Sequence, residues 1–145
     1  VGHPVRLAVF TTRAGHVIVG DGVIIGGLSA VHQFARLGAY SFVGGMTGIT
    51  KDLIPYGMVV GDRGALSGLN LVGLRRRNVS RDDIKQIREL YDQLFEGTGT
   101  LAERAAAVDA SALGTEAKRM LDFVLSDSSR SFCTPAPKAD QREAA

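Results

Sequence analysis

VGHPVRLAVFTTRAGHVIVGDGVIIGGLSAVHQFARLGAYSFVGGMTGITKDLI, residues 1–54, repeats every six positions. Val1, Leu7, Arg13, Val19, Ile25, Val31, Leu37, Val43 and Ile49 stand six apart, and all but Arg13 are aliphatic. The residue after most of them is small, as at Gly20, Gly26, Gly38 and Gly44, and the fifth of each hexad is small or β-branched, as at Val23, Ser29, Ser41 and Thr47. An α-helix repeats every ~3.6 residues and a half-buried strand every ~2, so neither period explains a strict six. A β-sandwich would carry turn signals roughly every 8 to 12 residues. The hexad is instead the signature of a parallel β-helix, in which each repeat gives a short strand and a tight corner, and the recurring aliphatic points into a stacked core.

Working outward, the phase breaks at Pro55, and YGMVVGDRGALSGLNLVGLRRRN, residues 56–78, is rich in glycine and ends on three arginines. Ser80 three before Asp83 reads as a helix cap, followed by Ile84, Ile87, Leu90, Tyr91, Leu94 and Phe95 at helical spacing until Gly97 and Gly99. Thr100 with Glu103 forms a second capping signal, and Ala117, Met120, Leu121 and Val124 mark a third helical face. From Ser126 the chain turns to Ser, Pro, Ala and charge, a composition that predicts disorder. The expected plan is mainly β: a left-handed parallel β-helix of hexapeptide repeats over 1–57, an ordered Gly/Arg-rich connector over 58–79, a small α-helical domain over 80–125 and a disordered tail over 126–145.

Composition narrows the function classes. The 145 residues carry a formal net charge of +2, too mild for a strongly basic nucleic-acid binder. Cys133 is the one cysteine, so an internal disulfide is excluded, and a reducing compartment, or indifference to one, is expected. No apolar run approaches the ~20 residues of a membrane-spanning helix, and the expected location is cytoplasmic. No cysteine cluster or paired-histidine motif suggests a metal site. GxGxxG, phosphate-loop and GxSxG spacings are absent, and the basic residues near 75–81 lack interleaved aromatics. If three hexads make one coil, His16 and His32 fall on the same face of successive coils, a plausible shared site.

AGHVIVGDGVIIGGLSAVHQFARLGAYSFVGG at 14–45, followed by GLNLVGLRRRNVSRDDI at 68–84, resembles the UDP-N-acetylglucosamine O-acyltransferases that begin lipid A synthesis. The likeness runs from about Ala14 to near Phe132, and its strength lies in the ordered set AGH, IGG, AVHQF, VGG and GLNLVGL followed by paired arginines.

The resemblance implies acyl transfer without a metal or bound cofactor, the phosphopantetheine arriving on acyl carrier protein. A histidine base would deprotonate the 3-hydroxyl of UDP-N-acetylglucosamine for attack on a 3-hydroxyacyl thioester. By motif position Gly15 would supply the oxyanion-binding N–H. His16 and Gln33 would contact sugar or acyl groups, and His32 would line the same cleft. Asn70, Arg76 and Arg77 would hold nucleotide phosphates or the carrier, since guanidinium forks suit phosphate oxygens. Gly45 would leave the acyl groove open for a long chain, and Arg88 would meet the acidic carrier protein. The resemblance also implies a homotrimer with sites between subunits.

In the family the base belongs to an HD pair three hexads before that of the AGH histidine. The nearest echo here is His3-Pro4, two hexads before, so one hexad counts as missing and His3 is taken as the remnant base. Arg13 at an inward stop predicts a frayed or slipped first coil. The alternative to an enzyme is a truncated trimeric scaffold that binds carrier or nucleotide without catalysis.

Overall fold

The computed structural model describes residues 4–7, 12–13, 15–61 and 64–137, with Leu7, Thr12 and Arg13 described by backbone alone. Eight two-residue strands follow one another at six-residue intervals: β1 (Arg6–Leu7), β2 (Thr12–Arg13), β3 (Ile18–Val19), β4 (Ile24–Ile25), β5 (Ala30–Val31), β6 (Arg36–Leu37), β7 (Phe42–Val43) and β8 (Gly48–Ile49). Each of the first five pairs in parallel with the strand three places on. Arg6 faces Ile24, Thr12 faces Ala30, Ile18 faces Arg36, Ile24 faces Phe42 and Ala30 faces Gly48, a constant step of 18 residues. The chain therefore coils through three parallel sheets, with one strand in each per turn.

The recurring aliphatics fill the space the sheets enclose. Ile25, Val31, Leu37, Val43 and Ile49 are all buried to within 1% of full exclusion. A second position in each hexad also points inward, at Val23, Ser29, Ala35, Ser41 and Thr47. Corners leave less room than flat faces, which is why these residues are small or β-branched; Ser29 Oγ donates to the Gly44 carbonyl at 2.8 Å.

The regular step corrects the expectation of a frayed or slipped first coil: β1 and β2 stack on β4 and β5 with the full 18-residue register. The same pairing carries Arg13 opposite Val31 without a slip in the backbone, although the Arg13 side chain lies outside the described residues.

The last coil is shorter. Leu37 bridges Leu53, and Val43 faces Val59 in β9 (Gly57–Val59), a step of 16. The repeat thus loses phase between Ile49 and Leu53 yet keeps stacking through Val59, beyond the expected end of the coil at 57. Within 58–79, β9 turns back through β10 (Leu66–Leu69), its antiparallel partner, into α1 (Leu71–Arg76). That stretch is more regular than a connector.

Ser80 accepts the Asp83 N–H at the start of α2 (Arg81–Phe95), and Thr100 and Glu103 close a reciprocal capping box on α3 (Leu101–Ala106). A 3₁₀ turn (Ala110–Ala112) leads to α4 (Thr115–Leu125), whose Ala117, Met120, Leu121 and Val124 are buried. No described helix is long and apolar enough to cross a membrane.

Residues 126–137 are ordered, against the expectation of disorder there; 138–145 lie outside the described residues. Phe132 bridges Asp52 and Pro135 bridges Leu66, so this segment lies along the shortened last coil. Composition missed it because its anchors are partners far off in sequence: Asp52 N–H to Ser131 O at 2.8 Å, Cys133 N–H to Asp52 O at 2.7 Å, and Ser128 Oγ to the Asp52 carboxylate. Asp52 is fully buried and accepts from the Arg36 guanidinium at 2.7 Å, while Arg36 also donates to Ser126 Oγ at 2.6 Å and stacks 4.5 Å from the centre of the Phe123 ring.

Candidate functional site

Three parallel sheets make three corners, and most of the expected site residues gather at them. The N–H groups that knit them belong to residues at positive φ, six apart: Leu28 (59°), Phe34 (65°), Tyr40 (61°) and Met46 (55°). Three of these N–H groups are seen to reach back one coil, from Phe34 to His16 O, Tyr40 to Asp21 O and Met46 to Gly27 O, at 2.6 to 2.9 Å. Bulky side chains in this conformation project outward and give each corner its lining.

The first corner, between the β2/β5 and β3/β6 sheets, holds Gly15, His16, His32 and Gln33. His16 stacks on Phe34, with ring centroids 6.1 Å apart and planes within 6°. Gly15 takes φ +55°, and a β-carbon there would come within 3.5 Å of the Gln33 side chain. His16 and His32 are both exposed on successive coils of this corner, though Phe34, not His32, is the direct neighbour of His16. A cavity of about 230 Å³ beside His16 is bounded by Ile18, Phe34 and Ser128. Arg130 approaches from the C-terminal segment and contacts His32.

The second corner, between the β3/β6 and β4/β7 sheets, gathers Asn70, Arg76 and Arg77. Asn70 caps α1, its Oδ1 accepting from Gly73 N–H at 3.0 Å while its Nδ2 donates to the Tyr40 carbonyl at 3.2 Å. These two hydrogen bonds fix α1 to the corner. The Arg77 guanidinium carbon lies 3.2 Å from the centre of the Tyr40 ring, and Tyr40 stacks in turn on buried Tyr56 at 6.1 Å. Arg6, Arg76 and Arg77 line one cavity of about 390 Å³ with Tyr40 and Gly22. Among the described residues none of these three arginines forms an ion pair, and the buried Nη1 of Arg77 has no hydrogen-bond partner. Three unneutralised guanidinium groups around a cavity suit an anion with several oxygens.

Beneath this corner the Tyr56 hydroxyl donates to Glu116 of α4 and accepts from Arg119 at 3.0 Å. Burial, reinforced by the Glu116 carboxylate, pushes the Tyr56 phenol far above its ordinary range. It remains a donor, and the column Arg77–Tyr40–Tyr56 is tied to the helices.

The third corner, between the β4/β7 and β5/β8 sheets, carries Gly45 beside exposed Leu28 and Met46. A β-carbon on Gly45 would press on the Gly27 carbonyl at 3.3 Å. Arg88 lies apart on the exposed side of α2. His3 lies outside the described residues.

A single chain therefore does not bring the expected site residues together: Gly15, His16, His32 and Gln33 share one corner, Asn70, Arg76 and Arg77 a second and Gly45 the third, with Arg88 apart from all three. Sequence reasoning missed Arg6, Tyr40 and Arg130. Tyr40 left a signal, a bulky residue at a corner position of the hexad; Arg130 left none, because 98 residues separate it from His32.

The profile of the family described as Udp N-acetylglucosamine O-acyltransferase, domain 2, matches residues 52–133. The acyl-[acyl-carrier-protein]–UDP-N-acetylglucosamine O-acyltransferase of Paracoccus denitrificans is 44% identical over 137 residues, which cover 94% of this chain and 52% of that protein. Its counterpart in Rhizobium leguminosarum bv. trifolii is 47% identical over 136 residues, 93% of this chain and 50% of the relative. Among solved structures, a UDP-N-acetylglucosamine acyltransferase from Campylobacter jejuni superposes with a TM-score of 0.83 at 31% identity, over 91% of this chain and 51% of that one. The chain spans about half the length of the curated relatives it matches.

Proposed function

The chain belongs to the UDP-N-acetylglucosamine O-acyltransferase family, and on that premise we propose that it serves in moving a 3-hydroxyacyl chain from acyl carrier protein to the 3-hydroxyl of UDP-N-acetylglucosamine in lipid A synthesis. The observation that carries this reading is the arginine-lined cavity of the second corner, whose unpartnered guanidinium nitrogen fits a nucleotide diphosphate. The stack of three-strand coils is read with it as the left-handed parallel β-helix of the family.

In the proposed reaction a histidine accepts the proton of the sugar hydroxyl as its oxygen attacks the thioester carbonyl. The Gly15 N–H holds the resulting oxyanion. The carbon–sulfur bond then breaks, and the imidazolium returns its proton to the departing phosphopantetheine thiolate. His3 is the proposed base. His16, His32 and Gln33 bind sugar and acyl groups, Asn70, Arg76 and Arg77 bind the nucleotide, Gly45 leaves space for the acyl chain, and Arg88 receives the carrier.

Because the described groups from Gly15 to Arg77 divide among three corners of one chain, the reading places the working site between copies. A homotrimer with a closed threefold axis turns one corner of each copy toward a different corner of its neighbour. The test is a mass-detected transfer assay with 3-hydroxyacyl carrier proteins of several lengths and UDP-N-acetylglucosamine. An O-acylated sugar nucleotide that falls by roughly 10²-fold or more in His3→Ala is the expected result. Folded protein that yields no product contradicts transfer, and undiminished product from His3→Ala contradicts the assignment of the base.

A further inference from the structure

Arg130 is 98 residues from His32 along the chain and in direct contact with it. Its Nη2 lies 2.7 Å from His32 Nδ1 and 3.0 Å from the Gln33 carbonyl oxygen, and its Nη1 lies 3.3 Å from the Thr50 carbonyl oxygen. The backbone around Arg130 is itself anchored: Arg130 N–H donates to Ser128 Oγ at 3.1 Å, and Ser128 Oγ–H donates to the buried Asp52 carboxylate. Among the described residues no carboxylate forms an ion pair with Arg130. Its donors therefore go to two carbonyls and one imidazole nitrogen.

A guanidinium has only N–H donors and no lone pair to offer, so its contact with Nδ1 runs one way. The Gln33 carbonyl also lies 3.2 Å from Nδ1 and could accept a proton from it. In that arrangement an Nδ1–H would meet the Arg130 N–H head-on across 2.7 Å, and the shorter contact decides against it. Nδ1 is the acceptor, and the ring proton sits on Nε2.

We propose that Arg130 is a positioning residue for His32: it fixes the ring in the Nε2–H form, so that His32 presents a hydrogen-bond donor at the first corner and not a base. The two carbonyl contacts hold the guanidinium from within the chain itself, so the fold alone orients the donor. In this way the segment after α4, outside the coil, completes the histidine corner. The proposal rests on the transfer reading for its catalytic meaning, but the contact itself is testable without activity.

Long-range proton–nitrogen NMR of histidine-labelled protein, recorded above the pH at which the imidazoles titrate, reads the ring directly. The expected spectrum for His32 has the proton on Nε2 and an Nδ1 resonance displaced by hydrogen bonding, which moves to the position of a free lone-pair nitrogen in Arg130→Met. A wild-type ring protonated on Nδ1 overturns the proposal, as does an Nδ1 resonance that Arg130→Met leaves in place. In the transfer assay Arg130→Met is expected to lower kcat/KM by about tenfold, and to add no further loss in a His32→Ala background. An equal added loss there means that Arg130 acts through the fold and not through His32, and overturns the proposal; a protein inactive in every form sinks the transfer reading and leaves the NMR result to decide the contact.

Discussion

Corner residues accept a backbone conformation that glycine prefers. Leu28, Phe34, Tyr40, Met46 and Tyr56 all have φ between 55° and 65°, at a cost of roughly 1 kcal/mol or more each for a residue with a β-carbon. The N–H groups of Phe34, Tyr40, Met46 and Tyr56 each bond a carbonyl of the preceding coil, which offsets that cost; Phe34 and Met46 are left exposed at their corners, while Tyr40 and Tyr56 are buried in the stack beneath Arg77. Residue-scale burial has the opposite effect on Cys133. The thiol is 3% exposed, and burial pushes its pKa up to about 11. Because the thiolate is the reactive form, alkylation at pH 8 is expected to run roughly 100-fold slower than for an ordinary thiol and to accelerate as pH rises. Mass-detected labelling checks this against denatured protein. Native and denatured chains labelling at the same rate would contradict the burial of Cys133.

Among the elements, α1 is the one whose placement matters most for the proposed nucleotide site. Six residues are too few to form a stable helix alone, so its position depends on Asn70. Asn70→Ala removes the cap and the bond to the Tyr40 carbonyl together, and a stability loss of about 1 to 2 kcal/mol is expected in denaturant unfolding. Asn70→Asp keeps the acceptor and should recover most of the loss. Equal losses in the two variants would put the weight on the Tyr40 bond and not on the cap.

The strands were legible because an inward aliphatic every sixth residue has no other simple explanation, and the capping pairs Ser80/Asp83 and Thr100/Glu103 were legible because they are local. The 16-residue last coil was not. Its shortening depends on Asp52 turning inward to a partner, Arg36, in another coil and on Phe132 arriving from beyond α4. Long-range pairing of this kind leaves no periodic trace.

For the whole molecule, the Arg36–Asp52 pair is the joint between coil and C-terminal segment. Removing one partner of a buried pair leaves the other charge uncompensated, so Asp52→Ala is expected to cost roughly 3 to 5 kcal/mol and to expose residues 126–133 to hydrogen exchange. A loss below about 1 kcal/mol, with exchange in that segment unchanged, would show that backbone bonds alone hold it. The site was legible only in part for a related reason. Motif positions gave His16, His32, Gln33, Gly45, Asn70, Arg76 and Arg77, but the linear order hides that they divide among three corners. Arg6 and Arg130 join them only through the coil register and the returning C-terminal segment.

The central claim is that transfer occurs where corners of different copies meet, and mixing variants tests it most directly. His16→Ala and Arg77→Met each damage a different corner. Expressed separately, both are expected to be nearly inactive in the mass-detected transfer assay. Co-expressed in equal amounts, they should regain roughly a quarter of wild-type activity, because mixed trimers contain sites in which both contributing corners are intact. Mixed assemblies as inactive as the separate variants, beside an active wild-type protein, would show that each site is built within one chain and would contradict the account.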